Sequence, residues 1–335
     1  MLRNEMPYLE HDLEGIRIVK DFLPDRIFDA HAHLFDTSFV SAIDKALPKS
    51  LVLRLENYEE EMRPILCNPK TLRLNIIGYP DGSMDCHTAE NLVKSDTFLL
   101  QELTKNPENV GELLLAPGES AEELEERLVH PGIRGFKCYH LMAKRKDTWF
   151  ADIGEYLPES AWEVANKHKM VITLHMVKDD ALADPDNQRY ICEMAKRFPD
   201  ATLILAHAAR SFASWTGVES VEKVAHLDNV WFDFSAVCES PAMFQIMRKA
   251  GVEKCMWGSD YPVCRGRGKA ISLANSFYWI YQNDLDHFVS KTTLKSWLIG
   301  LENLMATRQA CILAELNEDR VEDLFYNNAA RLWSK

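Results

Sequence analysis

The chain has 335 residues, 47% of them hydrophobic, and a formal net charge of -13. That length buries a large core and suits one barrel with insertions or two ordinary domains, while the acidic balance excludes a phosphate-neutralising surface and points to a small-molecule partner rather than nucleic acid. No segment approaches the ~20 uninterrupted apolar residues of a membrane span, and the first residues lack the apolar centre of a signal peptide, so a soluble, cytoplasmic protein is expected.

In chain order, the first strand is read over residues 26–30 and runs into His31 and His33. Residues from about 35 to 70 fit no regular pattern and are taken as an insertion over that strand, with the character of a lid. Further strands are read over 72–77 and 112–116. Ser120-Ala-Glu-Glu123 is a capping box, Leu124 and Leu128 share a helix face, and His130-Pro-Gly132 stops that helix before a strand over 133–138. A helix from about Pro158 precedes the continuous apolar run Met170-Val-Ile-Thr-Leu-His175, which reads as a buried parallel strand. Tyr190, Ile191, Met194 and Phe198 mark the next helix, and a strand over 201–206 follows. Val221, Val224 and Ala225 mark another helix before a strand over 230–235. A helix from Pro241 ends at Gly251, and the last strand covers 254–258.

Helix and strand alternating with turn signals at the boundaries imply a parallel sheet, and eight strands is the number that closes a (β/α)₈ TIM-like barrel. The α/β chain is therefore expected to be one domain over 1–335, with a barrel core of about 26–270, an N-terminal insertion of about 35–70 and extra C-terminal helices of about 271–335. The eight cysteines show no CxxC pair, so neither a disulfide framework nor a zinc finger is indicated.

Chemistry concentrates at strand ends. His31 and His33 end the first strand, His175 the fifth and His207 the sixth, while Asp260 follows the eighth. In barrels, function sits at the C-terminal ends of the strands. Residues two apart on a strand point to one side, so His31 and His33 can grip one cation. A third imidazole and a carboxylate arriving from other strands suit Zn²⁺ or a similar divalent ion. Each residue alone has a plainer role, such as a bonded core histidine or a helix-capping aspartate. Their joint placement favours a metal.

Phe28-Asp-Ala-His-Ala-His33, Gly132-Ile-Arg-Gly-Phe-Lys137, Leu174-His175, Leu205-Ala-His207, Trp257-Gly-Ser-Asp-Tyr-Pro262 and Asn327-Asn-Ala-Ala-Arg-Leu332 together resemble the amidohydrolase superfamily. The likeness is to the branch that holds aminocarboxymuconate-semialdehyde decarboxylase, resorcylate decarboxylases and dicarboxylate lactonases. The resemblance implies a metal on His31, His33, His175 and Asp260, with His207 and Asp260 handling protons as catalytic residues. It leaves Lys137 two roles: a carboxylated bridge to a second ion that His207 would share, or a substrate contact. One ion is favoured over two, Zn²⁺ before Mn²⁺ or Fe²⁺. A homodimer is implied as well.

Arg210 and Arg265 after the sixth and eighth strands, in so acidic a chain, suggest an anionic substrate, because a guanidinium matches a carboxylate or phosphate in bidentate fashion. Tyr139 and His140, directly after Lys137, are candidate pocket residues. The expected function is metal-assisted hydrolysis of an amide, ester or lactone with metal-activated water. Non-oxidative decarboxylation on the same template is the alternative, and a barrel that binds without catalysing is a second one.

Overall fold

The computed structural model describes residues 8–39, 51–80, 89–288 and 295–334. Eight parallel strands form one sheet in sequence order: β1 (Arg26–His33), β2 (Thr71–Ile77), β3 (Val110–Leu114), β4 (Ile133–Tyr139), β5 (Val171–His175), β6 (Thr202–Leu205), β7 (Val230–Asp233) and β8 (Cys255–Met256). Their apolar side chains are nearly all buried, as expected where a core and a ring of helices cover both faces.

β8 is short, and the segment after it closes the barrel. The Ala30 N–H donates to the Trp257 carbonyl at 3.1 Å, Asp260 N–H to the His31 carbonyl at 2.8 Å and His33 N–H to the Tyr261 carbonyl at 2.8 Å. Gly258 permits this approach: a Cβ there would lie 2.8 Å from the His31 Cβ. The Trp257-Gly-Ser-Asp-Tyr-Pro262 string thus seats Asp260 against the first strand.

The local signals that mark the helices act as their residue types dictate. Ser120 and Glu123 form the reciprocal cap of the Ala121–Glu126 helix. The Asp184 carboxylate accepts from the backbone of Asp186 and Asn187 ahead of the Pro185–Arg197 helix. Gly135 on β4 has its own reason, since a Cβ there would meet Val171 Cγ2 at 2.3 Å and Glu112 Cγ at 3.2 Å. That gap admits a polar cluster into the barrel interior, where Glu112 Oε1 accepts from Asn75 Nδ2 at 2.6 Å and Thr173 Oγ1 at 2.8 Å.

Three expectations need correction. The 35–70 region is not wholly an insertion, because Leu55–Ile65 is the helix that joins β1 to β2. Tyr58, Glu61, Met62 and Ile65 on it are buried, so this part is scaffold rather than lid; residues 40–50 lie outside the described ones. The C-terminal part does not begin as helix: Gly268–Leu273 and Ser276–Tyr281 pair as an antiparallel hairpin, β9 and β10. The run Phe277-Tyr-Trp-Ile-Tyr281 is rich in strand-forming aromatics, which outweigh a helical spacing of Ile271, Phe277 and Ile280. The third strand, expected at 112–116, lies at Val110–Leu114. Beyond the hairpin, the chain is helical as expected, notably over Ile299–Leu313.

Candidate metal centre

His31 and His33 leave β1 on the same side, as their spacing requires, with rings 5.1 Å apart. The tautomer of each ring follows from its partners, because a carbonyl or carboxylate oxygen can only accept. His31 Nδ1 faces Asp233 Oδ2 at 3.0 Å, His33 Nδ1 the Gly78 carbonyl at 3.0 Å, and His207 Nδ1 the Ser235 carbonyl at 3.1 Å. In the neutral rings each Nδ1 therefore carries the hydrogen, and each Nε2 presents a lone pair. His207 Nε2 then accepts from His175 Nδ1 at 3.1 Å, which leaves a lone pair on His175 Nε2.

Those lone pairs gather around a carboxylate. Asp260 Oδ1 lies 3.3 Å from His33 Nε2 and 3.7 Å from His31 Nε2. Donor atoms of His31, His207 and Asp260 all fall within 4.8 Å of one another. A carboxylate oxygen this close to unprotonated ring nitrogens is a repulsive arrangement until a cation sits among them, and the nitrogen and oxygen donors match a divalent transition ion. His31, His33, His207 and Asp260 thus meet at one place, with His175 attached through His207. The pairing of His175 with His207 is not visible from spacing.

The electrostatics agree with an arrangement of bare ligands. Burial, helped by the nearby Lys137 ammonium, pushes His31 down to about 3. Burial alone would raise Asp260; positive charge at His207, His33 and His31 would hold it well below the carboxylate range, and among neutral rings a bound cation is what would supply that charge. Asp233 is likewise kept low against its burial by His31. Lys137 is fully buried with Nζ 3.1 Å from His31 Nε2, and its pKa is lowered mainly by desolvation.

Around this cluster, Tyr139 Oη donates to His33 Nε2 at 3.0 Å, and its ring stacks on His175 at 5.1 Å. His140 lies between Trp149, 4.5 Å away, and His175, 5.8 Å away, and burial pushes its pKa down to about 4. Arg210 is buried with its guanidinium 5.1 Å from the Phe277 ring and 5.8 Å from that of Trp149. It donates to the Lys178 carbonyl at 3.0 Å and has no ion pair among the described residues. Arg265 is placed differently: Glu61 holds it at 3.2 Å, Tyr8 stacks on it at 4.9 Å, and both partners of the ion pair are buried. That guanidinium is engaged in joining the Leu55–Ile65 helix to the loop after β8.

His207, Ala208, Ala209 and Arg210 all have φ between 51° and 58°. Four consecutive left-handed residues without glycine cost on the order of 1–2 kcal/mol each. The turn is anchored by Asp233 Oδ1, which accepts from the His207 N–H at 3.1 Å, and by the Ser211 N–H to the His207 carbonyl at 2.9 Å. It is this turn that sets His207 and Arg210 together beside His175.

Asp233, Ser235, Trp149 and Phe277 were not anticipated. Asp233 ends β7 as His175 ends β5, so strand-end position was an available signal. Trp149 reaches the site from the turn at Thr148–Phe150 and Phe277 from the β9–β10 hairpin, and no pattern in the sequence gives either one a direction.

The Amidohydro_2 family model, described as amidohydrolase, matches residues 28–335. The chain belongs to the amidohydrolase family. No curated protein matches the sequence. Among solved structures, an amidohydrolase II is similar at 15% identity, with a TM-score of 0.62 and coverage of 92% of this chain and 100% of the other. A 5-carboxyvanillate decarboxylase from Sphingomonas paucimobilis is 14% identical at a TM-score of 0.57, over 92% and 99% of the two chains. A protein from Burkholderia multivorans described as an amidohydrolase, with zinc bound, is 15% identical at 0.58, over 92% and 99%. At such identities these structures show the barrel fold alone. The amidohydrolase fold seen in them is the one found here. No helix among the described residues is long and apolar enough to cross a membrane.

Proposed function

We propose that this amidohydrolase is a metal-dependent hydrolase acting on an amide, ester or lactone of a small anionic molecule. One observation carries the reading: His31 and His33, each tied from behind through Nδ1, turn Nε2 to within 3.7 and 3.3 Å of Asp260 Oδ1, and His207, bonded to His175, completes the donor cluster. His31, His33, His175 and Asp260 are the proposed ligands of one divalent ion, with His207 able to exchange roles with His175 through their shared hydrogen bond. When bound, such an ion polarises a carbonyl as a Lewis acid and acidifies water toward neutral pH.

The residues of the chain divide the remaining work. Asp260, a carboxylate set among the imidazoles, accepts a proton from water and passes it to the leaving group. His207, neutral and buried, relays protons through its Nε2 contact with His175. Arg210 holds the anionic group of the substrate, since a buried guanidinium framed by two aromatic faces and without an ion pair among the described residues is a strong anion receptor. Tyr139 and His140 line the same side, and His140 helps exclude water through its contact with the Trp149 ring, 4.5 Å away.

Decarboxylation is the second reading, supported by the likeness in fold to a 5-carboxyvanillate decarboxylase. The test is product analysis in ¹⁸O-water, with a panel of lactones, esters and aromatic carboxylates and the zinc-loaded enzyme. Hydrolysis places one ¹⁸O in the product acid. Release of CO₂ without label in the organic product selects the lyase, and absence of zinc binding removes both.

A further inference from the structure

The proposed ligands account for one side of the histidine cluster, while Asp233 lies behind it on β7, fully buried and used by no step above. Its two oxygens have separate duties. Oδ2 lies 3.0 Å from His31 Nδ1. Oδ1 accepts from the His207 N–H at 3.1 Å, from the Ser235 N–H at 3.0 Å and from the Ser235 hydroxyl at short range. One carboxylate therefore joins a candidate ligand ring on β1 to the start of the left-handed turn that presents His207 and Arg210.

We infer that Asp233 is the positioning residue of the centre: it selects the His31 tautomer whose Nε2 lone pair faces the metal, and it pins the 207–210 turn by the same charge. The inference rests on the metal reading for its consequence, but not for its geometry. The backbone N–H groups of His207 and Ser235 can only donate, so Oδ1 is an acceptor, and the second oxygen of the same carboxylate offers His31 Nδ1 an acceptor as well. Asparagine cannot supply that. If its oxygen faces His207 and Ser235, its N–H₂ meets the Nδ1 of His31, which must then give up its hydrogen to Nε2 and turn a donor toward the metal site. If the oxygen faces His31, the N–H₂ opposes two backbone N–H groups and the strained turn loses its anchor. Ser235 is the competing acceptor: with its hydroxyl hydrogen committed to Asp233 Oδ1, its oxygen still offers lone pairs to His31 Nδ1 at 3.1 Å and His207 Nδ1 at 3.0 Å, so the test must separate its part from that of the carboxylate.

The experiment compares wild type, Asp233→Asn and Ser235→Ala in two measurements. Imidazole ¹⁵N NMR of the metal-free proteins reads the tautomer of His31. Competition with a chromophoric chelator reads zinc affinity per folded molecule, with the folded fraction taken from circular dichroism. Wild type is expected to show His31 protonated on Nδ1. Asp233→Asn is expected to shift it toward Nε2–H and to weaken zinc by about 10–100-fold, the usual effect of losing a carboxylate behind a ligand histidine. Ser235→Ala keeps the Nδ1–H form. The inference is overturned if wild-type His31 carries its hydrogen on Nε2, or if folded Asp233→Asn keeps both the wild-type tautomer and the wild-type affinity. Should Asp233→Asn fail to fold, the tautomers of wild type and Ser235→Ala still decide, since loss of the Nδ1–H form in Ser235→Ala would assign the role to the hydroxyl. Wild type that shows the expected tautomer but binds no zinc refutes the metal reading and leaves the positional role of Asp233 standing.

Discussion

The Nζ of Lys137 lies 3.1 Å from the Nε2 of His31, with both side chains fully buried. Because His31 Nδ1 is bonded to Asp233, its Nε2 accepts, and Lys137 must donate. The ammonium thus stands against a lone pair that a metal would use, and like charges ~4 Å apart at an effective dielectric of ~20 repel by several kcal/mol when one is divalent. With one ion and an unmodified lysine, Lys137→Met is expected to bind zinc about 10–100-fold more tightly with unchanged stoichiometry. Zinc titration and native mass spectrometry check this. A CO₂ adduct in the native mass, together with the loss of one of two ions in the variant, would assign Lys137 as a bridge instead.

Among the described residues, Asp260 is the carboxylate that faces the lone pairs of His31 and His33, at 3.7 and 3.3 Å. Asp260→Asn keeps the shape and removes both the charge and the proton acceptor. Turnover of the substrate found by product analysis should fall by about 10²–10⁴-fold, with a matching loss of zinc affinity in the chelator competition. Unchanged turnover at saturating zinc would mean that another group moves the proton.

Arg210 tests the anionic-substrate half of the proposal. Lysine keeps the charge but loses the fork and the planar face that rests between Phe277 and Trp149. A charge-assisted hydrogen bond contributes about 1.5–3 kcal/mol, so Arg210→Lys should raise KM by roughly 10–100-fold while kcat changes little. An equal fall in kcat and kcat/KM, with KM unmoved, would place Arg210 at the reacting atoms rather than at a remote anion.

The parts of the barrel legible from the sequence were those where one local rule dominates. Buried parallel strands such as Val171–His175 are continuous apolar runs, and a cap such as Ser120 announces a helix start. The histidines and Asp260 could be gathered because strand ends in a barrel share one face. What resisted reading depends on distance in space. Nothing in the spacing of Glu61 and Arg265 says that they pair and so take one arginine out of the pocket. The hairpin of Gly268–Leu273 and Ser276–Tyr281 carries apolar residues that satisfy a helical period, and only pairing across the turn decides for strands. The left-handed turn at 207–210 contradicts the preference of alanine for a right-handed helix, so tertiary contacts with Asp233 must impose it.

Glu112 gives a prediction whose sign separates it from the histidines. It is fully buried in the barrel interior, bonded through Oε1 to Asn75 and Thr173, while Oε2 lacks a partner among the described residues. Burial pushes it from 4.5 up to about 7, against the pull of Lys137. An acid with a raised folded pKa contributes its full stability below ~4.5, where both states are protonated. That contribution is lost as pH rises toward about 7, because the unfolded chain ionises first. At ~1.4 kcal/mol per unit, the loss is on the order of 3 kcal/mol. His31 and His140, depressed to about 3 and about 4, act oppositely and lose stability as pH falls below 6.5. Glu112→Gln keeps the acceptor for Asn75 and Thr173 and cannot ionise. Urea denaturation of both proteins from pH 4 to pH 8 should therefore give curves that nearly coincide at the acid end and diverge in favour of the variant toward pH 8, by up to roughly 3 kcal/mol. Parallel curves across that range would mean that Glu112 is already ionised in the folded barrel, paired with the Lys137 ammonium.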